Sequence, residues 1–171
     1  CYTKYQFSIM GATMGLTSVK KFITSKLDGR GSYLSSTQLA QLDQTIKHGQ
    51  IRLEAATQLT LKLDQLVNEA TQEIEKKFLI VSSSDTETKF DNIQELVELF
   101  LKSISYALIS GSKEILNDII LNGFREMLTA TEQSPAWYIY ALEYIKRNHG
   151  LKGEKEQEAN IYIDYAISAL E

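Results

Sequence analysis

The chain has 171 residues, of which 43% are apolar, and this is enough for one domain that buries roughly two-thirds of the surface its unfolded form would expose. Its 18 Lys and Arg residues against 22 Asp and Glu residues give a net charge of -4, which lacks the concentrated basic field of a nucleic-acid-binding protein. A single cysteine, Cys1, excludes an internal disulfide and any multi-cysteine metal site.

The first fifteen residues are mildly apolar and carry one charge, at Lys4. We interpret residues 1–15 as an N-terminal extension that packs on the domain or binds a partner; a targeting remnant, a membrane-touching arm and a lipid-linked Cys1 are alternatives. The domain itself is predicted over residues 16–171. No apolar run reaches the roughly eighteen residues that a bilayer span requires, so we expect a soluble or peripheral protein without a transmembrane segment.

One proline and few glycines predict long helices and an all-α fold. A first short helix is expected from Leu16 to Leu27, ending at the turn Asp28-Gly29-Arg30-Gly31, where two glycines permit positive φ. Ser35 or Ser36 then caps a second helical region that runs to about Phe78, with a break near Gly49. Apolar residues recur at helical spacing in this region and predict one buried stripe: Leu39, Leu42, Ile46, Leu53, Ala56, Leu59, Leu63, Leu66 and Ala70.

The polar run from Ser82 to Asp85 predicts a loop and an N-cap for the next helix. That helix ends at Gly111 and is expected to form the centre of the core, because apolar residues line one of its faces: Phe90, Ile93, Val97, Phe100, Ile104 and Leu108.

The remainder of the chain predicts three or four further helices. Ser112 to Thr131 is expected to hold one or two short helices bent near Gly123. Ser134 caps the next helix, with Pro135 in its first turn, and the helix ends at Asn148-His149-Gly150. The last helix is predicted from Glu154 to Leu170. Seven or eight helices suit a globin-like fold, although periodicity alone fits other helical bundles equally well.

The pattern of reactive side chains favours no enzyme. Haem and metal sites need suitably placed donors, but His48 lies in a polar stretch and His149 at a helix end, so we interpret both as exposed or capping residues. No metal-ligand spacing is present. Glu95 and Glu98 lie one helical turn apart, as solvent-facing charges usually do, and no serine occupies a Gly-x-Ser-x-Gly turn.

The predicted helix after Pro135 carries four aromatic residues: Trp137, Tyr138, Tyr140 and Tyr144. Trp137 and Tyr144 are seven residues apart and share one face. We expect this pair to pack into the core, while Tyr140 meets a partner or solvent.

Several separated segments carry a family resemblance. They are the stretch from Ser134 to Leu170, Gly31 to Thr37, Leu53 to Ala56 and Tyr106 to Gly111. Taken in their order along the chain, these segments resemble phycocyanin α subunits, the bilin-carrying antenna proteins of phycobilisomes. The resemblance covers almost everything from Leu16 onward. The resemblance implies an all-α, globin-like phycobiliprotein fold with an N-terminal helical hairpin that docks on a β subunit.

The resemblance also identifies where the family holds its pigment. The family's bilin-linking cysteine corresponds to Ile93, its pyrrole-binding aspartate to Leu96, and its propionate-binding arginine to Glu95. The loop before the central helix is shorter than in the family. The residue that anchors the pigment, the acceptor of its pyrrole hydrogen bonds, the charge that pairs with its propionate and the loop beside its pocket are all changed. We therefore expect a filled pocket and no bilin cofactor.

The subunit-pairing positions of the family differ from the pigment positions in being largely kept. The resemblance assigns them to Asp28, Lys102 and Tyr106, of which Lys102 replaces an arginine and keeps its charge but not its bidentate geometry. This pattern favours a retained partner interface.

These features predict a pigment-free, phycocyanin α-like subunit with a spacing, capping or assembly role in the phycobilisome. Its expected partner is a β-type subunit or a linker protein, and its expected location is the cytoplasmic or stromal surface of the thylakoid membrane. A non-covalent bilin-binding antenna protein and a regulatory globin-like protein remain as alternatives.

Overall fold

The computed structural model describes residues 35–78, 84–131 and 135–171, and every regular element within these ranges is helical. The predicted helix from Leu16 to Leu27, the turn after it and the extension 1–15 lie outside the described residues. The elements, in chain order, are α1 (Ser36–Leu61), α2 (Leu63–Phe78), α3 (Ser84–Ser110), α4 (Glu114–Leu116), a π-helical turn (Asn117–Leu121), α5 (Asn122–Thr131), α6 (Ala136–Asn148) and α7 (Glu154–Leu170).

Helix α3 forms the centre of the fold, as predicted. It packs against α1, α2, α6, α7 and the π-helical turn. The predicted apolar face is buried at Ile93, Val97, Phe100, Ile104 and Leu108, whereas the side chain of Phe90 lies outside the description. A long helix that is apolar on one side gains most by placing that side where several elements converge.

The start of α1 is fixed by a capping box at the predicted residue. The Ser35 hydroxyl accepts a hydrogen bond from the Gln38 backbone N–H (3.3 Å), and the Gln38 side chain accepts one from the Ser35 N–H (2.8 Å). Two backbone donors that a helix start leaves unpaired are thereby satisfied.

The predicted helix break near Gly49 is wrong, because the break lies at Lys62, between α1 and α2. A glycine inside a helix costs only about 1 kcal/mol relative to alanine, so helical turns on both sides carry Gly49 through. At the break, the Lys62 ammonium donates to the carbonyl oxygen of His149 (3.4 Å), which ties this corner to the end of α6.

The predicted buried stripe holds only for its second half. Ala56, Leu59, Leu63, Leu66 and Ala70 are buried, but Leu39, Ile46 and Leu53 are exposed and Leu42 is half-buried. Helix α1 packs on α3 and α7, and its buried residues Ala55, Ala56 and Leu59 lie on a different side from the exposed row.

Three other boundaries differ from prediction. Helix α3 begins at Ser84, so the expected loop extends at most to Ser83; Ser82 and Ser83 lie outside the described residues. The irregularity after α4 is the π-helical turn at Asn117–Leu121, which precedes Gly123. Pro135 is the N-cap of α6, one residue before the expected first turn, while Ser134 lies outside the description. Helix α7 has the predicted bounds.

Two helix ends depend on glycine. Gly111 ends α3 with φ of +70°, and a Cβ there would lie 2.9 Å from Nη2 of Arg52. Gly150 follows α6 with φ of +72°, and a Cβ there would lie 2.7 Å from Nζ of Lys62. The left-handed backbone is what favours glycine at each position, since the flexible end of the basic side chain could shift to admit a Cβ.

Candidate functional site

The three residues at the expected pigment position lie on α3 and face different surroundings. Ile93 is buried, with 3% of its surface exposed, and belongs to the hydrophobic core. Leu96 is half-buried and packs against the same core, whereas Glu95 is exposed. Helical geometry explains the difference, since Leu96, three residues from Ile93, lies on nearly the same side of α3, whereas Glu95, two residues away, points to roughly the opposite side.

A hydrogen bond joins the surfaces of α2 and α3 beside Ile93. The Gln94 side-chain amide donates a hydrogen bond to Oδ1 of Asn68 across the two helices (2.9 Å). On the α2 side, Leu66 and Val67 are buried in the same core as Ile93. This hydrogen bond was not predicted, because two amide side chains on separate helices form no recognisable pattern in the sequence.

The described members of the predicted partner interface share the outward side of α3. Lys102 and Tyr106 are one turn apart and both exposed. Lys102 forms an ion pair with Glu98, which is also one turn away. Asp28, the third predicted residue, lies outside the described part of the chain.

The aromatic face of α6 is arranged differently from the prediction. The fully buried residue is Tyr138, whose ring packs edge-on against Phe124 (4.6 Å between ring centres), and burial raises the pKa of its hydroxyl above the ordinary value. Trp137 and Tyr144 are half-buried. The predicted pair packs against the edge of the core, while the side of α6 that meets α3 carries the fully buried Tyr138.

Tyr140 also differs from expectation, because it packs within the protein. Its ring lies edge-on to Phe78 at the end of α2 (5.9 Å), and the Lys77 ammonium sits 3.8 Å from its ring centre. Trp137 contacts the same Phe78 ring (6.1 Å). Phe78 follows the apolar spacing of α2 in the sequence. That position indicated where the helix ends, but it did not indicate the contact with Tyr140.

Tyr144 reaches α2 at another point. Its hydroxyl donates to a carboxylate oxygen of Glu69 (3.3 Å). Partial burial, followed by the negative charge of Glu69, raises the pKa of this phenol. The contact holds α6 to α2 without creating a reactive group.

The two histidines have structural partners. His48 is exposed, as expected, and its Nδ1 lies 3.0 Å from a carboxylate oxygen of Glu158 on α7. His149 is buried and is the C-cap residue of α6, which is the second of the two roles expected for it; its Nδ1 accepts from the Leu151 N–H (3.0 Å), and its Nε2 lies 3.2 Å from Oδ1 of Asn160. The capping role expected for His149 is therefore present, inside the core.

The acidic side chains do not form a reactive or metal-binding group in the described ranges. Glu95 is exposed, and Glu98 is engaged by Lys102. Among the side chains that the structure describes, no three from His, Cys, Asp or Glu converge as a metal site would need.

Comparison with known proteins assigns this helical chain to a family. The model of the family described as Phycobilisome protein matches residues 23–170. The chain belongs to the phycobilisome protein family. Family membership confirms the predicted all-α, globin-like phycobiliprotein fold, and it identifies the chain as a light-harvesting-type protein and not an enzyme.

Similar proteins include both α and β chains. The phycoerythrocyanin alpha chain of Nostoc sp. (strain PCC 7120 / SAG 25.82 / UTEX 2576) is 32% identical over 85% of this chain and 94% of its own length. The C-phycoerythrin alpha chain of Pseudanabaena tenuis (strain PCC 7409) is 27% identical over 91% of this chain and 99% of its own. The C-phycocyanin beta chain of Galdieria sulphuraria is 30% identical over 72% of this chain and 74% of its own.

These relatives imply assembly with β subunits in a phycobilisome, an antenna bound peripherally to thylakoid membranes. In the helices that the structure describes, none has the length and apolar character needed to cross a membrane. The two α-type relatives match this phycobiliprotein over 94% and 99% of their own lengths.

Proposed function

We propose that this chain is a pigment-free α-type subunit that serves as a structural, capping or assembly component of the phycobilisome. The observation that carries the proposal is the buried isoleucine at position 93, where the resemblance to phycocyanin α subunits expects the pigment-linking cysteine.

Ile93 does not fit a covalent bilin on chemical grounds. A thioether needs a cysteine sulfur, and the isoleucine side chain offers only saturated carbon. Its burial among core residues stabilises the fold by roughly 1.5–3 kcal/mol relative to an exposed side chain. The position therefore contributes to packing in place of pigment attachment.

The neighbouring residues support the same interpretation. Leu96 places an apolar side chain where an acidic acceptor is expected, and Glu95 places a negative charge where a cation is expected to meet a propionate. The Asn68–Gln94 bridge joins α2 and α3 next to Ile93. A ligand wedged between these helices at this level would have to break that hydrogen bond.

Partner contacts are the remaining source of function. We expect a β-type subunit, or a linker protein, to bind the outward side of α3 at Lys102 and Tyr106. This expectation draws on the α and β relatives and on the exposure of both residues. Such a subunit would occupy the cytoplasmic or stromal surface of the thylakoid and would space or cap pigment-bearing subunits.

The absorption spectrum of protein purified from its natural source tests the pigment-free state. We expect no visible band in native buffer. A band that survives acid urea would reveal a covalent bilin, and a band lost in acid urea would reveal a non-covalent one; either would overturn the proposal.

Co-purification with phycobilisomes tests the assembly role. We expect Lys102→Glu combined with Tyr106→Ala to lower recovery with the antenna by at least about tenfold. Lys76→Glu is the matched control, because Lys76 is also exposed and paired with an acid, Glu73, on its own helix. Equal recovery of all three proteins would contradict the predicted interface, and homodimers without any antenna association would favour a regulatory globin-like protein.

A further inference from the structure

The outward side of α3 continues from Lys102 and Tyr106 towards the start of the helix. Glu95, Glu98 and Leu99 lie on the same side, and we call these five residues the α3 stripe. With about 100° of rotation per residue, the stripe is about 100° wide and lies opposite the face that packs in the core. It is about 16 Å long.

The apolar part of the stripe consists of two large side chains. Leu99 is 41% exposed and Tyr106 is 37% exposed. They are seven residues apart, so they follow one another along the stripe at a distance of about two helical turns. Large side chains of this kind supply most of the binding energy when a partner covers them.

One positive and one negative charge of the stripe neutralise each other. The Lys102 ammonium forms an ion pair with Glu98, and the side chains are 49% and 34% exposed. A glutamate four residues before a lysine is the favourable orientation of such a pair on a helix. The charge of Lys102 is therefore already balanced in the free chain.

Glu95 carries the charge that is left over. It is exposed and has neither an ion pair nor a hydrogen bond to another side chain in the described part of the protein. Glu98, three residues further along the same side, has the same sign and repels it. The stripe thus begins with an unbalanced carboxylate.

A partner that binds at Lys102 and Tyr106 also covers Glu95. A stable interface occupies roughly 800 Å² on each partner, which is a patch about 30 Å across. Glu95 is seven residues before Lys102, hence only about 10 Å away along the helix. Covering a carboxylate without supplying a cation costs binding energy, because the charge loses its water.

We propose that the partner is a β-type subunit that presents a lysine or arginine side chain to Glu95, next to an apolar contact for Leu99. This inference rests on the proposed function, which takes the outward side of α3 as the docking surface. A β-type subunit is the partner chosen because the family and its α and β relatives imply assembly of that kind. The inference adds the charge and polarity of the surface that such a subunit must offer.

Titration calorimetry of the full chain with the β-type subunit from the antenna of the same organism tests the charge. At about 0.05 M salt, Glu95→Lys should weaken binding by at least about tenfold and Glu95→Gln by about threefold. At about 0.5 M salt these differences should shrink, because salt screens the attraction. Glu143→Lys is the matched control, since Glu143 is an exposed glutamate on α6 and makes the same change in net charge.

Leu99→Ala tests the apolar part of the contact. It should weaken binding by about five- to tenfold at both salt concentrations, because burial of an apolar side chain does not depend on charge screening. Circular dichroism of each variant checks that the helical fold is kept.

The outcomes separate this inference from the proposed function. Unchanged or tighter binding by Glu95→Lys, while Lys102→Glu with Tyr106→Ala still weakens binding, would overturn the inference alone. An equal loss in Glu143→Lys would also overturn it, because net charge would then explain the effect. A wild-type chain that binds no antenna subunit would contradict the proposed function and this inference together.

Discussion

His149 shows how a residue with catalytic potential serves packing alone. Its imidazole accepts from the Leu151 N–H and faces the Asn160 side-chain oxygen, so a neutral ring with its proton on Nε2 satisfies both contacts. The ring thereby fixes the turn between α6 and α7. A buried histidine with both nitrogens engaged has no free donor for a metal or haem.

Replacing this ring should destabilise the fold. We expect His149→Ala to lower the free energy of unfolding by about 2–4 kcal/mol, since it leaves a buried N–H unpaired and a cavity behind. Urea unfolding at neutral pH measures the loss. His48→Ala is the control, because His48 is exposed, and it should cost less than about 1 kcal/mol. Equal losses would show that burial of His149 contributes nothing.

Two buried tyrosines should limit stability at high pH. Burial raises the pKa of Tyr138; burial also raises that of Tyr162, where Arg52 opposes the shift and Glu158 adds to it. Because the pKa of each hydroxyl is raised in the folded state, its contribution to the free energy of unfolding is complete below about pH 10, the ordinary tyrosine value. That contribution is lost as the pH rises through the folded-state pKa.

Thermal melting between neutral and alkaline pH tests this dependence. The variant carrying Tyr138→Phe and Tyr162→Phe should lose less stability above about pH 10 than the wild type does. At neutral pH the two proteins should melt similarly, which provides the internal control. Parallel alkaline losses in both proteins would rule out these hydroxyls as the cause.

At the scale of the element, the end of α3 offers a sharp comparison of two glycines. Gly111→Ala should destabilise by about 1–2 kcal/mol, because it forces a left-handed backbone on alanine and pushes its methyl group into Arg52. Gly123→Ala, inside α5 with open space around it, should be neutral or stabilise by up to about 1 kcal/mol. Chemical denaturation of both variants measures the difference, and similar losses would refute the role of backbone strain.

Element existence was predictable where local chemistry marks it. Ser35 caps α1 through a side-chain pattern confined to four residues. Gly111 and Gly150 have positive φ and follow the ends of α3 and α6, where glycine is a common signal in the sequence. The break at Lys62 was not predictable, because neither glycine nor proline lies there and the Lys62 side chain contacts His149, a residue far along the chain. The π-helical turn likewise has no marker in its own residues.

The same distinction applies to which side of an element is buried. Periodicity predicted the core face of α3, where the apolar pattern has one solution. Along α1 two apolar sides compete, and only the positions of α3 and α7 decide that Leu59 is buried and Leu53 exposed. For α6, the sequence offered four aromatic residues and no rule that selects Tyr138. The position of the candidate pigment residues came from family resemblance, since nothing in their spacing marks a pocket.

For the whole molecule, the meeting of most elements on α3 predicts cooperative unfolding. Phe100 lies at this meeting point, with its ring edge-on to Phe124 (4.9 Å) and close to Tyr138 (6.4 Å). Phe100→Ala should cost about 3–5 kcal/mol, because it removes a large buried ring.

The sole tryptophan, Trp137 on α6, allows this to be observed locally. Its fluorescence and the far-ultraviolet helical signal should change at the same urea concentration in the wild type, and both midpoints should fall together in Phe100→Ala. Leu99→Ala is a suitable control, since Leu99 is a neighbouring but exposed residue of α3. Separate transitions for the two signals would show that α6 unfolds independently of α3.

The basic side chains at the helix ends have a consequence for how this family can diverge. Arg52 fills the space that the missing Cβ of Gly111 leaves, Lys62 does the same at Gly150, and Arg125 donates to the Ala169 carbonyl oxygen near the end of α7. Where a homologous subunit carries a larger residue in place of either glycine, a shorter side chain should accompany it on α1 or at its C-cap. Correlated substitutions of this kind among species would show that these helix ends are stabilised by cationic side chains from a distant part of the chain.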